Sequence, residues 1–248
     1  MQTSTNYTPG ARSELWERFL RDVFLDDQKL IAYMQRALGY SITGETREQK
    51  IFICYGTGAN GKSALFEIVR GVMGDYVQTV PMWALRRDEL SRRAMFWRVS
   101  LPGARLVVLS DVPEGRLSDK ALSKLFATGD TVTASYPYHE PFKFTLEAKL
   151  WLSTNHKPRI TDRAMLHRVV IIPFRAVFSR DQRVDSKVRR DPDPDIVDKL
   201  LESPHREAIL AWLVQGAIAW YQNGLQEPDI VRAATEECWC GLKSRGWQ

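Results

Sequence analysis

A short glycine-rich stretch near residue 60 leaves little freedom in how the middle of this chain folds. Gly56-x-x-x-x-Gly61-Lys62-Ser63 follows the apolar run Ile51 to Tyr55 and precedes a helical pattern from Ser63 to about Val72. The order is strand, glycine-rich loop, helix. Glycines let consecutive backbone N–H groups converge on phosphate oxygens, and the helix N-terminus adds the positive end of its dipole. In such a loop the lysine neutralises β- and γ-phosphates, and the Ser hydroxyl ligates Mg²⁺. A chance glycine turn would also have to place strand and helix correctly on its two sides. The expected nucleotide contacts are therefore Gly56, Thr57, Gly58, Ala59, Asn60, Gly61, Lys62, Ser63 and Ala64. Among them Lys62 is the catalytic cation and Ser63 the first metal ligand.

A phosphate loop of this kind needs an acid delivered by a neighbouring strand. Ala104 to Asp111 is a β-branched apolar run that ends in a carboxylate. Asp111 is the expected partner of Mg²⁺ or of the attacking water, with Glu114 as the reserve candidate.

The remaining elements follow from periodicity and punctuation. Ser13 caps a helix carrying Leu15, Trp16, Phe19, Leu20, Val23 and Phe24. A second helix runs from about Asp27 to Leu38, with Gly39 as its expected stop. Leu117 to Thr128 reads as a helix capped by Ser118. Thr131 to Tyr136 and Phe142 to Thr145 alternate as two strands of a hairpin whose tip is limited by Pro137 and Pro141. Lys149 to Asn155 and Val169 to Phe174 are further buried strands. Residues 180–195 alternate basic and acidic groups around Pro192 and Pro194 and read as a linker. A helical pattern returns from Asp195 to Gln222, split at Pro204 and ended by Gly224. The pairs Arg86–Arg87 and Arg92–Arg93 read more readily as a solvated face than as a nucleic-acid contact.

Composition excludes several classes. At 44% hydrophobic and 26% charged residues, the 248-residue chain is of ordinary globular make-up. The net charge of +5 permits a polyanionic partner without requiring one. The N-terminus lacks an apolar secretory segment, and the run Ile209 to Tyr221 is too short to span a bilayer. Cys54, Cys238 and Cys240 supply neither a disulfide framework nor two zinc-ligand pairs. A cytoplasmic protein is expected.

Taken in order, these pieces resemble the helicase domain of the phage and plasmid primase–helicase family, within the superfamily 3 helicases. The resemblance covers nearly all of residues 14–237. It rests on Leu38-Gly-Tyr-Ser-Ile-Thr-Gly44, the loop form Asn60-Gly61-Lys62-Ser63, the strand ending at Asp111, and Lys124-Leu-Phe-Ala-Thr-Gly-Asp130. Lys149-Leu-Trp-Leu-Ser-Thr-Asn155-His-x-Pro158 and Arg168-x-x-x-Ile172-Pro-Phe174 complete it. The resemblance implies an α/β, AAA+-like P-loop NTPase with a central parallel sheet, flanking helices, a β-hairpin insert and helical N- and C-terminal segments. It implies ATP and Mg²⁺ as cofactors and hydrolysis at the subunit interfaces of a homohexamer around DNA. A separate primase would be a partner, within a bacterial host cell and encoded by a phage or mobile element. Residue by residue, Asn155 senses the γ-phosphate or positions water, and Arg168 reaches in trans to the neighbouring site. Tyr138, His139 and Lys143 on the hairpin would contact a DNA strand. This chain has Ser110-Asp111 where the family usually carries Glu, and His167 where it often carries a first arginine.

The expected division is a flexible leader (1–12), an N-terminal helical segment (13–46), the P-loop core (47–179), a charged linker (180–195) and a C-terminal helical segment (196–248). Two other readings stay open at this point: a ring module that binds nucleotide but hydrolyses it weakly, and a AAA+ ATPase acting on protein.

Overall fold

The computed structural model describes residues 1–80, 98–110, 131–156, 165 and 167–243, the last five of these by backbone alone. Asp111, Glu114, the 117–128 helix, Lys124 to Asp130, the arginine pairs near residue 90 and Pro158 lie outside the described residues.

Five strands form a parallel sheet. They are β1 (Ile51–Tyr55), β2 (Val77–Thr79), β3 (Leu106–Leu109), β6 (Lys149–Thr154) and β7 (Val169–Pro173), in the spatial order β2-β3-β6-β1-β7. The phosphate-loop strand thus lies between two partners, pairing Phe52 with Trp151 on one side and Ile51 with Val169 on the other. Parallel strands are buried on both faces, which is why these runs read as continuously apolar rather than alternating. Phe52, Cys54, Trp151, Val170 and Ile172 face one core layer, while Ile51, Ile53, Leu150, Leu152 and Ile171 face the other.

The first layer is helical. It contains α1 (Glu14–Phe24), α2 (Gln28–Ile42), α3 (Lys62–Met73), α4 (Ile196–Leu201) and α5 (His205–Asn223). The side chain of Ser13 accepts from the Trp16 N–H, so the expected N-cap forms, and Asp27, expected as the first residue of the second helix, caps it instead by accepting from the Leu30 N–H. Trp151 stacks on Phe52 at 4.4 Å and donates its indole N–H to Ser41 Oγ at 2.9 Å. That hydrogen bond leaves the buried indole satisfied and ties β6 to α2.

Gly39 does not stop α2, which continues to Ile42. The glycine serves close approach instead. A Cβ there would lie 2.2 Å from the backbone N of Ala217 in α5, and one on Gly216 would lie 2.0 Å from the Gln35 carbonyl oxygen. Two glycines bring the helix backbones together where any side chain would hold them apart.

Against the second face packs α6 (Asp229–Lys243), whose Thr235 Oγ1 accepts the Ile171 N–H at 2.9 Å. The hydroxyl satisfies a backbone donor on an edge strand that would otherwise be open. The hairpin β4 (Thr131–Ala134) and β5 (Phe142–Thr145) pairs antiparallel as expected. Residues 180–195 contain β9 (Arg189–Arg190), which pairs in parallel with β8 (Val177–Phe178) directly after the sheet. No helix among the described residues is long and apolar enough to cross a membrane.

A candidate nucleotide site at the phosphate loop

In a parallel sheet of this kind, ligands bind beyond the carboxyl ends of the strands, where neighbouring connections diverge. Here the chain leaves β1 through Gly56 to Gly61 and enters α3, while β6 ends beside it at Thr154. The loop bends tightly because Gly58 (φ +104°), Ala59 (φ +46°) and Gly61 (φ +82°) all adopt positive φ. Gly61 caps α3 without a side-chain hydrogen bond. Among the described residues, the N–H groups of Thr57 to Gly61 meet no acceptor. Curled backbone with such open donors forms an anion-binding concavity.

Two glycines are required by contact. A Cβ on Gly56 would fall 2.2 Å from Asn60 Nδ2 and 2.3 Å from the Phe174 carbonyl oxygen. One on Gly61 would fall 2.7 Å from Val23 Cγ2. The loop is pinned from two sides, by Gly56 N–H to the Thr154 carbonyl at 3.3 Å and by Phe178 N–H to the Ala59 carbonyl at 2.7 Å.

Lys62 is 4% exposed. Its ammonium donates to the Gly56 carbonyl at 2.9 Å, to Asn60 Oδ1 at 2.8 Å and to Asn155 Oδ1 at 3.1 Å. Asn60, likewise buried, reaches the Phe174 carbonyl through Nδ2 at 3.5 Å, so it lies between the loop and the end of β7. The buried cation is thus satisfied by oxygen acceptors, as burial of a charge demands. Cys54 sits below the loop in the core, where burial pushes its thiol up and keeps it protonated despite nearby Lys62. It is a small packing residue.

The loop opens into a cleft of about 970 Å³ lined by Gly58 to Ala64, Ser153 and Asn155. Ser63 is exposed in it and Ala64 half-buried. The opposite walls are α1 and residues 178–196, including Arg180, Arg189 and Arg190. Sequence reasoning assigned that segment no part in a site. Its signal lay in the tertiary pairing of Arg190 with Asp22 of α1 and with Asp26 just after that helix, at 3.5 and 3.4 Å, which alternating charges alone do not reveal.

The sequence-derived site residues thus divide. Lys62, Ser63 and Asn155 converge on the cleft with the rest of the loop. Arg168 does not join them. It precedes β7 at the other end of the sheet, where its carbonyl accepts the Ile51 N–H at 2.7 Å. The hairpin is separate again. Tyr138, at φ +64°, is fully exposed at the tip, His139 and Lys143 are exposed, and Tyr136 stacks on Phe142. Ser135 closes the tip turn by donating to the Tyr136 and His139 carbonyls, both at 3.0 Å.

Comparison with known proteins agrees with this architecture. A profile for a family of unknown function, DUF5906, matches residues 54–168, from the end of β1 to the residue before β7. The Acanthamoeba polyphaga mimivirus protein "Putative helicase L207/L206" is 25% identical over 224 residues, 85% of this chain and 23% of the relative. The Sputnik virophage protein "Putative helicase V13" is 25% identical over 203 residues, 78% of this chain and 26% of the relative. The chain spans about a quarter of the length of these curated relatives. Among solved structures, the apo C-terminal region of NrS-1 superposes with a TM-score of 0.66 at 14% identity, over 95% of this chain and 53% of that one. An A-form apo structure of the same region gives 0.64 at 13%, with the same coverage. At such identities the likeness to NrS-1 is one of fold. The chain is a distant homologue of viral proteins named as helicases, with an α/β fold built on a five-stranded parallel sheet.

Proposed function

We propose that this chain is the motor module of a replication helicase of a virus, phage or related mobile element, hydrolysing ATP at the interfaces of a homohexameric ring and translocating on DNA. The observation that carries the reading is the separation of Lys62 from Arg168. Lys62 and Asn155 lie beyond the carboxyl ends of β1 and β6, and Arg168 lies before the amino end of β7. At about 3.3 Å per residue the five-residue strand β1 holds them roughly 15 Å apart, farther than an arginine side chain extends. Arg168 is therefore out of reach of its own phosphate loop, which supports a role toward a neighbouring copy.

In this reading the N–H groups of Thr57 to Gly61 and the Lys62 ammonium hold the β- and γ-phosphates. The Ser63 hydroxyl would ligate Mg²⁺, with Asp111, or Glu114 in its stead, as the acid. The ion supplies charge neutralisation on the phosphoryl oxygens when bound. Asn155 orients the γ-phosphate or the attacking water. Arg168 from the next protomer stabilises charge as the β,γ-bridging bond breaks, an effect worth roughly 10³–10⁵ in rate for arginine fingers. Tyr138 would stack on a base, and His139 and Lys143 would follow the phosphates of one strand. A separate primase would supply primers.

The test is ATP hydrolysis by purified protein with and without single-stranded DNA, beside Lys62→Ala. The reading expects DNA-stimulated turnover that the substitution abolishes. Tight ATP binding without turnover would favour a weakly hydrolysing ring module, and turnover indifferent to DNA would favour a protein substrate.

A further inference from the structure

The phosphate loop accounts for only one end of the cleft. Much of the rest of its lining comes from α1 and from residues 178–196. Arg18 on α1 lines it together with Pro192, Pro194 and Ile196. Arg18 is exposed and, among the described residues, forms no hydrogen bond or ion pair through its guanidinium. Yet it acts electrostatically on Asp22 of its own helix and on Asp193, the residue between the two prolines. The Arg18 side chain and an apolar Pro/Pro/Ile surface thus line the same open cleft.

The walls are fixed relative to each other. Arg190 joins Asp22 and Asp26 across the gap, and its Nη1 donates to the Arg189 carbonyl at 2.9 Å. On the far side Lys199 donates to both Asp193 carboxylate oxygens at 2.9 and 2.8 Å, and the Asp195 N–H donates to Oδ1 at 3.1 Å. Charge pairs thus flank the cleft.

Resting on the nucleotide reading above, we infer that the nucleobase of the bound triphosphate lies in this slot, with its face on the Arg18 guanidinium and its other face toward Pro192, Pro194 and Ile196. An arginine plane suits an aromatic face as both a cation and a flat surface, which a lysine does not reproduce. Recognition through ring faces grades bases by stacking area rather than by edge pattern. Purine triphosphates then bind ahead of pyrimidine triphosphates, with little separation of ATP from GTP.

Calorimetric titration separates the base from the phosphates by comparing ATP, UTP and inorganic tripolyphosphate, each with Mg²⁺, on wild type, Arg18→Ala and Arg18→Lys. Arg18→Ala is expected to weaken ATP binding roughly five- to tenfold, the range of a partly desolvated cation–π contact, and to leave tripolyphosphate unchanged. Arg18→Lys should behave like the alanine variant, and UTP should bind wild type more weakly than ATP. Equal losses for ATP and tripolyphosphate would assign Arg18 to the phosphates and overturn the inference. So would unchanged ATP affinity, full rescue by lysine, or equal binding of UTP and ATP. A wild-type protein that binds none of the three ligands would instead overturn the nucleotide reading itself.

Discussion

Lys62 and Asn155 meet across two adjacent parallel strands, with the lysine ammonium 3.1 Å from the amide oxygen. The first residue opens α3 after β1 and the second directly follows β6. The same ammonium also holds Asn60 Oδ1 and the Gly56 carbonyl. A γ-phosphate arriving at the loop must compete for these bonds, and winning the one to Asn155 frees that amide to face the phosphate.

Asn155→Ala should therefore separate binding from chemistry. Nucleotide affinity should change little, because the loop N–H groups and Lys62 remain. Turnover should fall about a hundredfold, the scale of removing one fixed polar group from a developing charge. Steady-state hydrolysis beside equilibrium titration measures both. Equal losses in affinity and turnover would make the contact a structural one.

The Gly39–Gly216 crossing is tested by Gly39→Ala. Helix propensity alone favours the alanine by about 1 kcal/mol. Backbone overlap at 2.2 Å opposes it, and overpacking of this kind costs about 3 kcal/mol. The overlap should win, lowering the melting temperature by several degrees, about 2–4 °C for each net kcal/mol. An unchanged or higher melting temperature would mean that α2 and α5 do not approach as described.

Lys149 gives a pH-dependent expectation. Its ammonium is fully buried and donates to the carbonyls of Thr43, Glu45 and Glu147. Burial, with Arg105 nearby, pushes it down to about 7 from an ordinary 10.5. Between those values the folded chain binds fewer protons than the unfolded chain, so this group makes stability rise with pH. Below about pH 7 both states are protonated and the full penalty applies. Urea unfolding from pH 7 to 8.5 should show a gain approaching 1 kcal/mol per pH unit, and Lys149→Met should remove that slope. The window stops short of pH 9.0, where the buried Cys54 thiol, pushed up, begins to act in the opposite sense. A slope unchanged in Lys149→Met would assign the pH dependence elsewhere.

How far the sequence discloses this molecule depends on whether a signal is local. The Gly56–Ser63 spacing, the cap at Ser13 and the buried strands are each written within a few residues, and each forms where expected. Gly39 misled because a glycine near a helix end is ordinarily a stop. Its actual partner, Gly216, belongs to a helix far along the chain. Arg190 was illegible for a related reason, since only folding brings it to Asp22 and Asp26 and so makes residues 180–195 a wall of the cleft. Asn155 was named through a motif, and the structure adds its bond to Lys62.

In the proposed ring each ATP site takes Lys62 from one protomer and Arg168 from the next. Arg168→Ala and Lys62→Ala proteins should each be inactive alone, and mixing them before ring assembly should restore DNA-stimulated hydrolysis at intermediate ratios, because some interfaces then pair an intact loop with an intact arginine. No recovery at any ratio, with mixed assembly verified, would contradict a shared site.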